Sequence, residues 1–156
     1  MTTKVSELVV RILLGQEIFA IPASQVHEIV DCPKMTLVPG SDPFVQSLIN
    51  VRGHVVPLAD LRYKLRLDIS AKTIDTRIVV LDISSGDENL MVGIIADKVF
   101  EILEVDLIVE GRVPQVGMRW PPEYVRSMGR CHGEFLMILD TPRIFDMAWD
   151  DPPAIV

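Results

Sequence analysis

The apolar residues of this chain come in short runs, each cut off by glycine, proline or a polar cluster, and this punctuation limits what the chain can fold into. Leu8–Leu14, Glu17–Ile21, Leu48–Val51, Val55–Leu58, Arg77–Ile83, Leu90–Ala96 and Phe135–Leu139 are rich in valine, isoleucine and leucine. They have the length and β-branched character of strands. None approaches the roughly 20 apolar residues of a membrane-spanning helix. Eleven prolines and nine glycines among 156 residues break the chain too often for long helices. An all-β fold follows, most simply barrels that bury their own strand edges.

The stretch Leu48–Arg62 carries this pattern most clearly. Two apolar runs are hinged at Gly53, which can take the positive φ of a tight antiparallel connection. Asn50, Arg52 and Asp60 interrupt them. An arginine within an apolar hairpin is expected to reach a carboxylate, carbonyls or solvent, since a buried, unpaired guanidinium is strongly unfavourable.

Other elements fall around this hairpin. Leu8–Leu14 and Glu17–Ile21 form a first hairpin through Gly15-Gln16, Pro22 ends it, and Ala23–Val26 is long enough for one helical turn. Met35–Val38 is a short strand between Cys32-Pro33 and Pro39-Gly40. Leu61–Arg66 has helical spacing, and residues 68–75 form a polar linker. Arg77–Ile83 and Leu90–Ala96 flank a six-residue polar loop at 84–89. Val99–Leu103 and Leu107–Val109 add strand material. Pro114, Pro121 and Pro122 make 111–123 an irregular crossing loop. Val125–Gly129 and Phe135–Asp140 pair around a turn, Pro142 opens a terminal helix, and residues 151–156 form a flexible tail.

Composition narrows the function. A 49% hydrophobic and 24% charged chain is globular, and its polar start, Met1–Glu7, has no secretory pattern, so a cytoplasmic location is expected without membrane insertion. A net charge of −7 without basic clusters argues against nucleic acid and for a protein partner. Cys32 and Cys131 lie in no metal-binding spacing, and His27, His54 and His132 are isolated. Gly86 and Gly93 belong to no phosphate-binding glycine motif. Asp82, Asp97 and Asp140 end or follow strands, where capping a turn is the ordinary role. No catalytic residues, metal ligands or cofactor sites emerge, and the expectation is a protein that is not an enzyme.

Asn50-Val51-Arg52-Gly53, then Val56-Pro57-Leu58 and Asp60-Leu61-Arg62, resembles the N-L-R-G, V-P-V, D-L-R signature of the CheW-like family of chemotaxis adaptors. Gly15–Pro22 with Val26–Ile29, Thr76–Val80 and Gly93–Val99 are similar to further family runs, so the resemblance spans roughly residues 7–147. It implies two small five-stranded β-barrels with a shared hydrophobic core and a few short helices. Residues 1–150 would be one domain of two interlocked halves, exchanging near 68–75. It also implies a non-enzymatic scaffold that couples methyl-accepting chemoreceptors to the histidine kinase CheA. The alternatives are an adaptor of a surface-sensing or twitching pathway, or a barrel that binds a small ligand such as a purine; the last is disfavoured by 6% aromatic content.

By matching position, Val26, Glu28, Ile29, Asn50, Val51, Arg52, Gly53 and Val99 would meet the receptor's cytoplasmic hairpin tip. Met35, Thr36, Leu37 and Val38 would meet the kinase's regulatory domain at the first barrel. Glu28 and Arg52 stand out as charges in apolar surroundings, and their pairing serves either recognition or the barrel's register. The apolar candidates fit either a groove floor or a core. Ser47, where the family often has glycine, restricts the backbone, while Val51 and Ala59 replace larger residues. Self-association is left open.

Overall fold

The computed structural model describes residues 5–85, 88–108 and 120–149, without the side chains of 85, 88 and 146–149. The expected tail at 151–156 and most of the crossing loop lie outside these residues. Eleven strands and two helices are described, in the order β1 (Ser6–Leu14), β2 (Glu17–Pro22), β3 (Val26–Asp31), β4 (Thr36–Leu37), β5 (Ser47–Val51), β6 (His54–Ala59), α1 (Leu61–Lys64), β7 (Arg77–Ser85), β8 (Glu88–Ala96), β9 (Lys98–Leu107), β10 (Val125–Cys131), β11 (Glu134–Leu139) and α2 (Thr141–Trp149). Single 3₁₀ turns at Ala23–Gln25 and Pro122–Tyr124 lead into β3 and β10.

The strands form two halves. One is a closed barrel in the order β1-β2-β11-β10-β9, and the other a six-stranded sheet in the order β3-β7-β8-β6-β5-β4. Five strands of each half follow the same plan. A hairpin, β1-β2 or β7-β8, carries an antiparallel neighbour on one side, β9 or β3. On its other side it takes a parallel partner, β11 or β6, which belongs to a second hairpin. A helix follows in each case. Asp60 N donates to Phe44 O and Asp140 N to Tyr124 O, both at 2.8 Å, and each aspartate's carboxylate accepts a backbone N–H at the start of its helix.

The halves differ in closure. In the barrel, β9 and β10 join through the pairs Leu107–Gly129 and Asp106–Arg130. In the sheet the corresponding strands, β3 and β5, are not paired, and β5 pairs with the two-residue strand β4 instead.

Three apolar clusters hold the molecule together. Val9, Ala20, Val105, Leu136 and Ile138 fill the barrel, and Ile49, Val51, Val56, Leu58, Ile78 and Val80 fill the concave side of the sheet. The third is the shared core. It joins Ile12, Leu14, Phe19 and Ile21 of the barrel to Val79, Leu81, Val92 and Ile94 of the sheet, with Leu61 and Leu65 from the α1 region and Ile144 and Phe145 of α2. Burying each such side chain contributes about 1.5–3 kcal/mol, so separating the halves would expose much of the folding free energy to water. Phe19 meets Trp120 edge-on at 5.2 Å, and Phe44 meets Phe145 at 5.5 Å.

Several boundaries differ from the sequence expectation. The chain does not change halves near 68–75, because that linker joins α1 to β7 within one half; it crosses at Ala23–Gln25 and at Asp97. Polar composition marked surface exposure there, not a change of sheet. The loop expected at 84–89 is shorter, since Ser84–Asn89 and Ser85–Glu88 are ladder pairs. Val99–Leu103 and Leu107 belong to one strand, β9, whose Glu101, Glu104 and Asp106 disguise it. Met35–Val38 is reduced to the strand pair Thr36–Leu37, at the edge of the sheet and not in the barrel containing the chain's first strand. Ser47 is an ordinary buried strand residue, and no positive φ is required there.

Candidate functional site

The site grows from the β5-β6 turn. Val51 pairs with His54, leaving Arg52 and Gly53 as a two-residue connection with φ of 51° and 86°. Positive φ at both central residues is the I′ arrangement whose twist suits an antiparallel hairpin, although arginine is unusual at its first position. Asn50 Oδ1 accepts the Gly53 N–H at 2.9 Å and fixes the turn. Asn50 and Gly53 thus shape the turn that aims Arg52.

Arg52 is not enclosed by the hairpin: its side chain is 79% exposed at the tip. The expectation of a guanidinium inside apolar surroundings fails because the residue occupies the turn itself. Its Nε nevertheless donates to both Oε1 and Oε2 of Glu28, each at 3.2 Å. Glu28 lies on the half-buried side of β3 with Val26 and Val30, and its side chain is only 17% exposed. His27 Nε2 stands 3.8 Å from the same carboxylate. Two strands that remain unpaired are therefore spanned by an ion pair where, in the other half, backbone hydrogen bonds close the barrel.

The remaining candidates divide clearly. Ile29 is exposed beside Glu28, whereas Val51 is buried in the concave core of the sheet. Val26 and Val99 are half-buried against the shared core. They hold corresponding places, because each lies near the start of a strand, β3 or β9, that flanks the central hairpin of its half. On the far edge, Leu37 is 69% exposed, with Thr36 and Val38 also exposed, while Met35 packs against the sheet's core. The Arg52 turn and β4 lie toward opposite ends of β5, since β4 pairs with Ser47 and Leu48 and the turn follows Val51.

Sequence reading missed a second charged group. Arg62 is 6% exposed and donates from Nε and Nη2 to the two carboxylate oxygens of Asp60, both at 2.8 Å. Its Nη1 donates to Asp97 Oδ1 at 3.0 Å and to Ser70 O at 3.1 Å. Asp97 Oδ2 in turn accepts the Gly15 N–H at 2.6 Å. The hydrogen bond from Arg62 to Asp60 raises its pKa above the ordinary arginine value, so the cation is permanent. This group ties the β1-β2 turn, the β8-β9 crossing and the start of α1 into one node. The available signal was Asp60-Leu61-Arg62, two charges flanking an apolar residue directly after a core strand.

Among the described residues, no group of three or more His, Cys, Asp or Glu side chains converges as a metal site. No described helix is long and apolar enough to cross a membrane.

Comparison with known proteins agrees with this architecture. The chain is 28% identical over 140 residues to the chemotaxis protein CheW of Bacillus subtilis, covering 90% of this chain and 86% of that one. It is 30% identical over 87 residues to the protein PilI of Pseudomonas aeruginosa, covering 56% and 47% of the two chains. The crystal structure of the scaffolding protein TtCheW from Thermoanaerobacter tengcongensis shares the fold, with a TM-score of 0.75 at 22% identity over 90% of this chain and 88% of that one. The sequence model of the CheW-like domain matches residues 8–148, which takes in both halves, the node between them and the Arg52 turn; the chain belongs to the CheW-like domain family.

Proposed function

We propose that this protein is a non-enzymatic adaptor of the cytoplasm that joins chemoreceptors to the histidine kinase CheA and is recruited by them to membrane-associated arrays. The observation that carries the reading is the exposed Arg52 tip held against Glu28 beside Ile29. It offers a charged and apolar patch suited to a receptor's helical hairpin tip. Asn50 and Gly53 shape it, Val51 backs it from the core of the sheet, and Val26 and Val99 are proposed as further receptor contacts. The edge formed by Met35, Thr36, Leu37 and Val38 is the proposed kinase contact, with Leu37 as its most exposed apolar residue. Two contacts on one sheet, backed by a shared core, would fix receptor and kinase in a single relative arrangement. A small receptor movement would then change kinase activity without chemistry in the adaptor.

The test mixes the protein with CheA and a receptor cytoplasmic fragment and follows kinase autophosphorylation. Addition should restore receptor control of the kinase. Leu37→Asp should weaken kinase binding and leave receptor binding largely intact, with circular dichroism confirming the fold. Unchanged kinase activity with and without the protein, or loss of both partners in a folded Leu37→Asp variant, would overturn the assignment. The match to PilI favours one second reading, the same adaptor role in a different pathway. Capture of receptors and kinase from the native cell separates the two.

A further inference from the structure

The seam that closes the barrel is short. Strand β9 pairs with β1 from Ser6–Asp106 to Leu13–Lys98, but with β10 only at Leu107–Gly129 and Asp106–Arg130. Strand β10 ends at Cys131, where His132 and Gly133, with φ of 51° and 77°, turn the chain back into β11. Among the described residues no strand lies against this edge of β9 before Asp106. A cavity of about 240 Å³ opens there, between Glu101 and Leu103 on β9 and Cys131, His132 and Glu134 around the turn.

The ladder identifies the backbone groups left over. In an antiparallel sheet one residue turns both its N–H and its C=O to one side, and the next residue turns them to the other. Leu107 N donates to Val5 O, towards β1, and Ile108 N donates to Met128 O, towards β10. By this alternation Ile102 and Glu104 aim their N–H and C=O groups at the side from which β10 has already turned away. A strand edge of this kind is a template for a further strand. Side chains alternate as well. Leu103 faces the cavity with Leu136, while Ile102, 61% exposed, and Glu104 lie on the outer face.

Charge selects the partner. Glu101 is held by Arg11 at 2.9 Å, whereas neither Glu104 nor Glu134 has a cation within ion-pair distance among the described residues. A second copy of the chain laid along this edge would bring these carboxylates against their own kind, and charged side chains on an edge are the ordinary guard against such pairing. An extended segment with cationic side chains meets attraction instead. We propose that the free edge of β9 takes an extended, lysine-bearing peptide as an added strand, antiparallel to β9 as β1 and β10 are. Its residues opposite Ile102 and Glu104 would complete the ladder and carry the cations on the outer face. The residue between them would lay an apolar side chain over Leu103 and Leu136. This assignment is independent of the adaptor reading.

The probe is a capped peptide alternating lysine and valine over about seven residues, enough to span the edge at ~3.4 Å per residue. NMR titration of the isotope-labelled protein should give saturable binding with Kd of about 1 mM or tighter. N-methylation of the lysine amides should abolish it and N-methylation of the valine amides should not, because only the lysine amides face β9 in this register. The exposed substitution Glu104→Lys should weaken binding at least about fivefold, and the peptide should slow amide hydrogen exchange at Ile102 and Glu104. Absence of saturation by about 10 mM, equal binding of a glutamate-valine peptide or of the lysine-methylated one, an unaffected Glu104→Lys variant, or unchanged exchange at Ile102 and Glu104 would each overturn the proposal. So would sedimentation that shows the protein alone as a dimer with the same amides protected, which would give the edge to a second copy.

Discussion

Replacing Arg62 with methionine should destabilise the fold far more than any change at Arg52, and the hydrogen bonds at Arg62 set the magnitude. Methionine keeps much of the side chain's volume, so packing loss is small and the charge effect dominates. Removing the guanidinium takes the cation from Asp60 and Asp97, whose side chains are only 8% and 12% exposed. Stranding buried partners in this way costs about 3–5 kcal/mol, against about 5–15 kcal/mol for a whole domain. Arg62→Lys should recover part of the loss, because lysine restores the charge without the two parallel bonds to Asp60. Asp97→Asn should be milder, about 1–3 kcal/mol. The amide has one acceptor oxygen, and so either Arg62 Nη1 or the Gly15 N–H loses its partner. Urea denaturation followed by circular dichroism measures all three, with the midpoint shifting at constant slope. An Arg62→Met cost below about 1 kcal/mol would refute the view that this node clamps the halves.

At the other pair, Arg52→Ala and Glu28→Ala should show a coupling of only about 0–1 kcal/mol in stability, since Arg52 is 79% exposed. A double-mutant cycle read by denaturation and by receptor affinity should place the coupling in affinity; strict additivity in both readouts would remove Glu28 as the partner. Gly129→Ala should cost about 1–3 kcal/mol, because its Cβ would lie 2.7 Å from Val105 Cγ2 and 2.9 Å from Val105 Cβ inside the barrel. A neutral result would mean that β9 can shift there. Burial raises the Tyr124 pKa above tyrosine's usual 10. The neutral phenol is thus favoured by the fold, so its contribution is intact below pH 10 and is lost as pH rises through the raised value. Alkaline denaturation curves should accordingly fall less steeply for Tyr124→Phe, and identical slopes would reject that cause.

What the sequence disclosed and what it concealed have physical reasons. The β5-β6 hairpin was legible because Gly53 and the flanking β-branched residues specify turn and strands locally. The choice of Glu28 as the partner of Arg52 agrees with the geometry, yet the setting differed, because occupancy of a turn depends on which residues pair across it. Arg62 sits in a helical pattern in the sequence; its second carboxylate, Asp97, lies 35 positions away and is met only through the parallel pairing of β6 with β8. The crossings were hidden for a similar reason. Asp97 passes between halves within a single residue, leaving no compositional trace, while the polar stretch at 68–75 lies along one surface.

The division of the two halves along the chain has a consequence for the order of folding. All strands of the six-stranded sheet lie between Val26 and Ala96, so this half can assemble as soon as that segment has left the ribosome. The closed barrel is different. Its β1 and β2 come first, but β2 must wait for β11, and Phe19 pairs with Met137 across more than a hundred intervening residues. Such a contact comes at a large loop-closure entropy unless the intervening chain has already condensed. Condensation of residues 26–96 into one sheet would shorten that loop, because the two crossings then lie at opposite ends of the same β7 strand region instead of being joined by a free chain. In a chain where the barrel closes last, Phe19, Ile21 and Ile12, which the shared core buries, would be the apolar residues left open on the β1-β2 hairpin.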